Sequence, residues 1–390
     1  MTLGELDVEG VDFASGNIPN AHRLLATLRR RKPYAVVPFG GGRAIVLLTH
    51  ELVTAAFKDE ETFPAAAAHP PSGPVLGHTV QCMAGAAHRI HERLATPAFH
   101  DGLVGGYGSA LFEPVAHELV DRFSRHEVDL VVEFTEQYPV LVVARMLGLP
   151  LADESVLWRW MHDLYYYPVE PDGAARASDE FGAYLREIIR RRREHPGDDL
   201  ISTLLTVDGY SDESVLAFAR LLFPAAADTV MLSLGNILAA LLTHPAQLAK
   251  VRRHPKTELS WAVQEALRWE PPVGMLPRLC TRGTEWHGIT IPPATPVIFA
   301  ITAANRDPAV YPDPDVYDLD RRAMATLAFG DGAHTCLGAR FALAELTAGL
   351  KVLVERLPDM RLAPGADARV GSRMTPVLRG PSSLPVLLGR

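Results

Sequence analysis

Cysteine is scarce: Cys82, Cys280 and Cys336 are the only three in 390 residues, and no two are spaced as CxxC. An odd, scattered set of thiols argues against a disulfide framework and against a structural zinc site, and a reducing, cytoplasmic compartment is expected. Positive charge is not in excess either. The formal net charge is -8, with acidic and basic residues interspersed, so no basic field is offered to a phosphate backbone and nucleic acid is not an expected partner. The opening MTLGELDVEG lacks a basic start followed by an apolar run, and no signal peptide is expected. Familiar catalytic signatures are missing as well. There is no GxSxG elbow of a serine hydrolase, and the zinc-protease pattern HExxH fails, since His91-Glu92 is followed by Ala95 and His117-Glu118 by Asp121. Gly40, Gly41 and Gly42 continue into neither GxGxxG nor GxxxxGK, and they read as a turn.

What is present describes a globular chain: 48% of residues are apolar and 22% charged, enough to enclose a large core. Residues 221–242 are apolar enough to span a bilayer. Pro224, Asp228, Thr229 and Asn236 would be costly in lipid, and no belt of Trp, Tyr or Lys flanks the segment, so it reads as a buried core helix without a membrane anchor. Helical periodicity runs through 21–31, 88–98, 113–125, 132–147, 154–166, 173–194, 212–242, a further segment ending near 269, and 337–357. Strand-like alternation marks 34–48, a hairpin, and then 276–281, 285–291 and 296–302. Residues 63–85, rich in Ala, Pro, Gly and His, read as a long irregular loop serving a site, and 307–322 as coil. No repeat or low-complexity linker divides the chain. One domain over 1–390 is expected, mainly α, with a small β-rich region at 34–48, 276–302 and the C-terminal tail.

The sharpest local signal is Phe329-Gly330-Asp331-Gly332-Ala333-His334-Thr335-Cys336-Leu337-Gly338, a glycine-rich loop that delivers one cysteine at the mouth of a long helix. A thiolate at a helix N-terminus is stabilised by the dipole and by free N–H groups, and glycines allow the tight backbone that aims those groups at sulfur. The run resembles the FGxGxHxCxG cysteine loop of the cytochrome P450 family at every specified position. Glu265 and Arg268, one turn apart before Pro271-Pro272, resemble the family's ExxR pair, and 303–308 with Tyr317 to Arg321 resemble its meander. Ala225-Ala226-Ala227-Asp228-Thr229 resembles its acid-threonine motif.

That resemblance implies the cytochrome P450 fold, a haem b bound through Cys336 as the iron ligand, and oxygenation of a hydrophobic substrate by O2. Phe329, Gly330 and Gly338 would bind the haem together with Cys336, and Glu265, Arg268 and Arg321 would form a buried structural network. Asp228 and Thr229 would handle the protons that O–O cleavage needs. His88, Arg278 and His334 would meet the haem propionates. The sequence departs from the family at Glu92, where an arginine usually stands four residues after the histidine, and at Ala226, usually glycine. Arg93 is one register off and His91 is a possible substitute. Pro224 should kink the helix beside the pocket. Pocket walls are expected at 63–85, 164–170, 223–229, 273–276 and 375–378, with Val75, Phe223, Ala225, Val273, Leu276 and Val377 as substrate contacts. No flavin or iron–sulfur motif is present, so NAD(P)H electrons are expected only through ferredoxin and ferredoxin reductase, docking near Arg340, on a monomer. A haem-thiolate protein that binds or senses a ligand without turnover is the competing reading, prompted by Ala226 and Glu92, and a haem-free helical protein is another.

Overall fold

The structure, a computed structural model, describes residues 8, 10–15, 18–68, 73–77, 79–99, 106–150, 154–165, 170–322, 326–373 and 375–389. The expected loop at 69–72 and 78 and the expected pocket wall at 166–169 lie outside the described residues. The chain divides into two compact units. One comprises Met1–Ala68, Leu232–Cys336 and Arg361–Val386; the other comprises His69–Met231, Leu337–Met360 and Leu387–Arg390.

The first unit is built on a four-stranded sheet. Tyr34–Phe39 and Gly42–Leu47 pair antiparallel with Phe39 opposite Gly42. The turn between them puts Gly40 and Gly41 at φ 57° and 79°, the left-handed region a two-residue hairpin turn demands. Thr295–Phe299 adds to this hairpin in parallel, and Leu276–Cys280 closes the far edge antiparallel. Side chains alternate, so Val36, Ile45, Leu47, Val297 and Phe299 fill one core, while Ala35, Val37, Ala44, Val46 and Ile298 fill another. Both faces are covered, and the sheet is a rigid frame for what it carries. The Ala21–Arg31 helix lies on the second core through Ala21, Leu25 and Leu28, residues that share one helical face. A smaller hairpin, Thr284–Trp286 with Ile289–Ile291, packs into the first core.

The second unit is helical. Its principal elements are Gly85–Ala95, Glu113–Asp121, Tyr138–Leu147, Glu154–Tyr165, Pro171–Glu194 and Ala339–Arg356. Phe341 stands edge-on to Phe112 with ring centroids 4.9 Å apart. Gly349 lets two helices approach closely, because a Cβ there would lie 2.9 Å from the Tyr138 ring. The Asp212–Thr243 helix gives its first part to this unit and its remainder to the first. By length and composition it could cross a membrane, yet 67% of its most apolar stretch is buried.

Several boundaries differ from expectation for local reasons. The periodic stretch 132–147 is two elements, a π-helical turn at Val131–Thr135 and a helix at Tyr138–Leu147, because Pro139 supplies no N–H to continue the ladder. Residues 63–85 are not uniformly irregular; Ala65–Ala68, Gly73–Leu76 and Val80–Cys82 are short helical turns. Two helices of nine residues were not anticipated. His50–Lys58 starts at Thr49, whose hydroxyl accepts from Leu52 N, and Pro245–Arg253 precedes the Pro255–Trp269 helix.

Candidate functional site

The cysteine loop takes its shape from two glycines and the neighbouring His50–Lys58 helix. Gly330 and Gly332 have φ of 72° and 76°, and a Cβ at Gly332 would lie 2.4 Å from the carbonyl oxygen of Phe57. Glycine at 332 is therefore required twice, by conformation and by contact. Asp331 Oδ1 accepts from Gly332 N at 2.7 Å, Thr335 Oγ1 donates to the Gly332 carbonyl at 2.7 Å, and Lys58 faces Asp331 at 3.2 Å. The loop closes through Cys336 N, which donates to the Phe329 carbonyl at 2.9 Å. Cys336 is left exposed. Gly338 caps the Ala339–Arg356 helix, its carbonyl accepting from Ala342 N at 2.8 Å.

Strand pairing fixes Arg278 opposite Val297, with its guanidinium beside the Phe299 ring. It is buried, and among the described residues no carboxylate lies within ion-pair distance; its one hydrogen bond goes to the adjacent Pro277 carbonyl at 3.2 Å. Burial lowers its pKa, partly offset by Glu60. The same Glu60 accepts from His334 Nε2 at 3.2 Å. Glu60 thus links Arg278 and His334 in one neighbourhood, a role no local motif announced.

Glu265, Arg268 and Arg321 come together in the first unit. Arg268 donates to both carboxylate oxygens of Glu265 and to the carbonyls of Asn305, Pro314 and Val316, while Arg321 Nε reaches Glu265 at 3.2 Å. Asp318 N adds a fourth donor to that carboxylate. The helix supplies the first pair, and Asn305 with the coil after Asp307 supplies the rest. A second buried ionic cluster escaped the sequence reading: Glu270 Oε1 accepts from Arg379 at 2.5 Å, its Oε2 lies 2.5 Å from His22, and Arg306 lies 3.8 Å away.

In the second unit His88 is buried on the Gly85–Ala95 helix with Glu92 Oε2 3.9 Å from Nδ1. The residue standing where an arginine was expected therefore faces the histidine itself. Arg93 is exposed, and His91 turns back to the Ala87 carbonyl at 3.1 Å. Asp228 is buried; Thr229 Oγ1 donates to the Ala225 carbonyl at 2.9 Å, four residues back in the helix. Pro224 lies inside that helix and removes the N–H that would bond to the Arg220 carbonyl.

The six expected substrate contacts fall in different places. Phe223 is wholly enclosed, packing against Phe181 with centroids 5.0 Å apart, and belongs to the core of its unit. Val75 is buried, with its carbonyl accepting from Ser178, and Ala225 is half-buried. Val273, Leu276 and Val377 gather in the first unit: Val273 bridges to Leu378, Gly274 N donates to Val377 O at 2.7 Å, and Leu276 begins the edge strand.

A family model described as Cytochrome P450 matches residues 156–358. The mycinamicin IV hydroxylase/epoxidase of Micromonospora griseorubida is 37% identical over 283 residues, 70% of each chain. The chain belongs to the cytochrome P450 family. A second relative, the vitamin D(3) 25-hydroxylase of Pseudonocardia autotrophica, is 36% identical over 268 residues, 67% of this chain and 66% of that one. Among solved structures, P450 CYP109Q5 from Chondromyces apiculatus superposes with a TM-score of 0.85 at 30% identity, covering 94% of this chain and 95% of its own. As a P450 of bacterial type, the protein is a haem b monooxygenase of organic substrates that uses O2 and draws electrons, ultimately from NAD(P)H, through a redox partner. The donor set fits that group. A P450 haem needs one soft anionic ligand and cations for its carboxylates; Cys336 is exposed on a braced loop, and Arg278 is a buried cation without a carboxylate partner among the described residues.

Proposed function

We propose that this P450 hydroxylates, epoxidises or dealkylates a small to medium hydrophobic molecule, with Cys336 as the thiolate ligand of the iron and the whole chain acting as one catalytic domain. The observation that carries the reading is the Cys336 loop, where two left-handed glycines and the Phe329 carbonyl shape a turn that leaves Cys336 exposed. Bound haem supplies the redox-active iron at which O2 is reduced. Arg278, with His334 and His88, would meet the propionates, since a desolvated guanidinium gains most from a carboxylate. Neither exposed Arg93 nor His91, bonded to its own helix, is assigned that role.

Asp228 and Thr229 would manage protons. A hydroxyl has one hydrogen and two lone pairs, and the Thr229 hydrogen is committed to Ala225. Its oxygen is thereby oriented as an acceptor, suited to holding a water, while buried Asp228 would pass protons inward. Val273, Leu276 and Val377 would offer apolar contact to the substrate.

Electrons would come from a ferredoxin and its reductase, docking around exposed Arg340, and the protein would act as a cytoplasmic monomer without a membrane anchor. The test is reconstitution with both partners under labelled O2. Consumption of NAD(P)H that depends on substrate, with one labelled oxygen in the product, is expected. Tight ligand binding across a broad panel without any oxygenated product contradicts the proposal.

A further inference from the structure

A cavity of about 440 Å³ is lined entirely by residues of the second unit, a size that accommodates a drug-sized organic molecule. Val80, Met83, Leu216, Phe218 and Leu221 give it apolar walls, and besides Tyr210 five ionisable side chains, His91, Glu92, Arg186, Glu213 and Arg220, also face it. Four of these are engaged. Arg186 lies 3.8 Å from Glu213, both more than half exposed; Glu92 faces His88 and His91 bonds its own helix.

Arg220 differs. Its Nε is buried without a hydrogen-bond partner, and no carboxylate among the described residues lies within ion-pair distance. Burial and the like charge of Arg186 lower its pKa, partly offset by Glu213 and Asp179. A Cβ at Gly182 would lie 2.4 Å from Nη2, so with glycine there the guanidinium rests against the Pro171–Glu194 helix, and an added methyl would have to displace it. A partly desolvated cation with an unpaired buried N–H gains from an anion placed against it. An apolar cavity wall beside that cation asks for a molecule with both characters.

We propose that this cavity binds an organic acid with an apolar body, its carboxylate held by Arg220. The planar fork of arginine suits a carboxylate bidentately, and the apolar walls gain from covering a hydrocarbon. The inference goes beyond the reading above and does not take this acid as the molecule to be oxygenated; binding is measured without turnover.

Calorimetric titration of the haem-loaded protein with decanoate and with decan-1-ol tests it. Decanoate is expected to bind about tenfold tighter or more, the scale of one charge-assisted hydrogen bond. Arg220→Gln should erase that preference, and Arg220→Lys should keep part of it. Gly182→Ala, which retains the charge but displaces it, should weaken decanoate more than decan-1-ol and serves where Arg220→Gln does not fold. Equal binding of acid and alcohol by the native protein, or a preference that survives both Arg220→Gln and Gly182→Ala, overturns the proposal. A flat titration beside a thiolate-type carbon monoxide spectrum would remove this inference and leave the haem assignment intact.

Discussion

Arg268 clasps Glu265 through two hydrogen bonds, Nε to Oε2 at 2.8 Å and Nη2 to Oε1 at 2.7 Å, and neither residue has more than 1% of its surface exposed. Such a pair is costly to break from one side, since the survivor is a buried charge without compensation. Glu265→Gln removes the charge facing both Arg268 and Arg321, and a loss of about 3–5 kcal/mol is expected. Chemical unfolding of the soluble fraction measures it. A variant within 1 kcal/mol of native stability, a difference well below that range, would contradict the structural role.

Arg278 should behave in the opposite way. Because no carboxylate among the described residues lies within ion-pair distance of it and Glu60 offsets its burial only in part, Arg278→Leu removes a desolvated charge and should leave the haem-free protein as stable as before, or more so. Haem dissociation, measured by transfer to an acceptor globin, should quicken about tenfold or more. If the substitution destabilised the haem-free protein while haem dissociation stayed unchanged, Arg278 would be a structural residue.

At Thr229 the prediction concerns coupling. Thr229→Ala deletes the oxygen that Ala225 orients, and product formed per NAD(P)H should fall by about tenfold or more, with peroxide rising in its place. Thr229→Ser keeps the hydroxyl and should retain most of the coupling. Equal coupling in the native, Ala and Ser proteins would remove Thr229 from proton handling.

The Glu270 cluster predicts a pH dependence. Burial alone would raise this carboxyl, but His22, Arg379 and Arg306 outweigh it and hold the pKa at about 2 against an ordinary 4.5. A folded value below the unfolded one means that the carboxylate contributes stability fully above about pH 4.5 and loses it as pH falls toward 2. The difference corresponds to about 3 kcal/mol. Urea unfolding of native protein and Glu270→Gln should therefore show a gap at pH 7 that narrows by pH 3.5. A gap that widens on acidification contradicts the sign.

Much of this is legible in the sequence alone, and the residues show why. The Ala21–Arg31 helix and the 34–47 hairpin declare themselves through period and turn chemistry. The cysteine loop is a contiguous run, and Glu265 with Arg268 a local pair, so both can be read from one stretch of chain. Glu270 could not be read that way, because its partners His22 and Arg379 lie 248 and 109 residues distant. Glu60 and Arg220 look like ordinary surface residues in sequence; folding alone gives one to His334 and sets the other beside a cavity. Phe223 looked like a pocket residue for being apolar and near Asp228, and helical phase sent it into the core against Phe181 instead. The short His50–Lys58 helix was signalled by its Thr49 cap, but nine residues carry too little periodicity to stand out.

The claim on which the account turns is that the sulfur of Cys336 binds the iron. The reduced carbon monoxide difference spectrum of the native protein and of Cys336→Ser tests it directly. A thiolate-type band in the native protein, absent from the variant, is the predicted result; a histidine-type band in the native protein, or a thiolate-type band that survives the substitution, would contradict it.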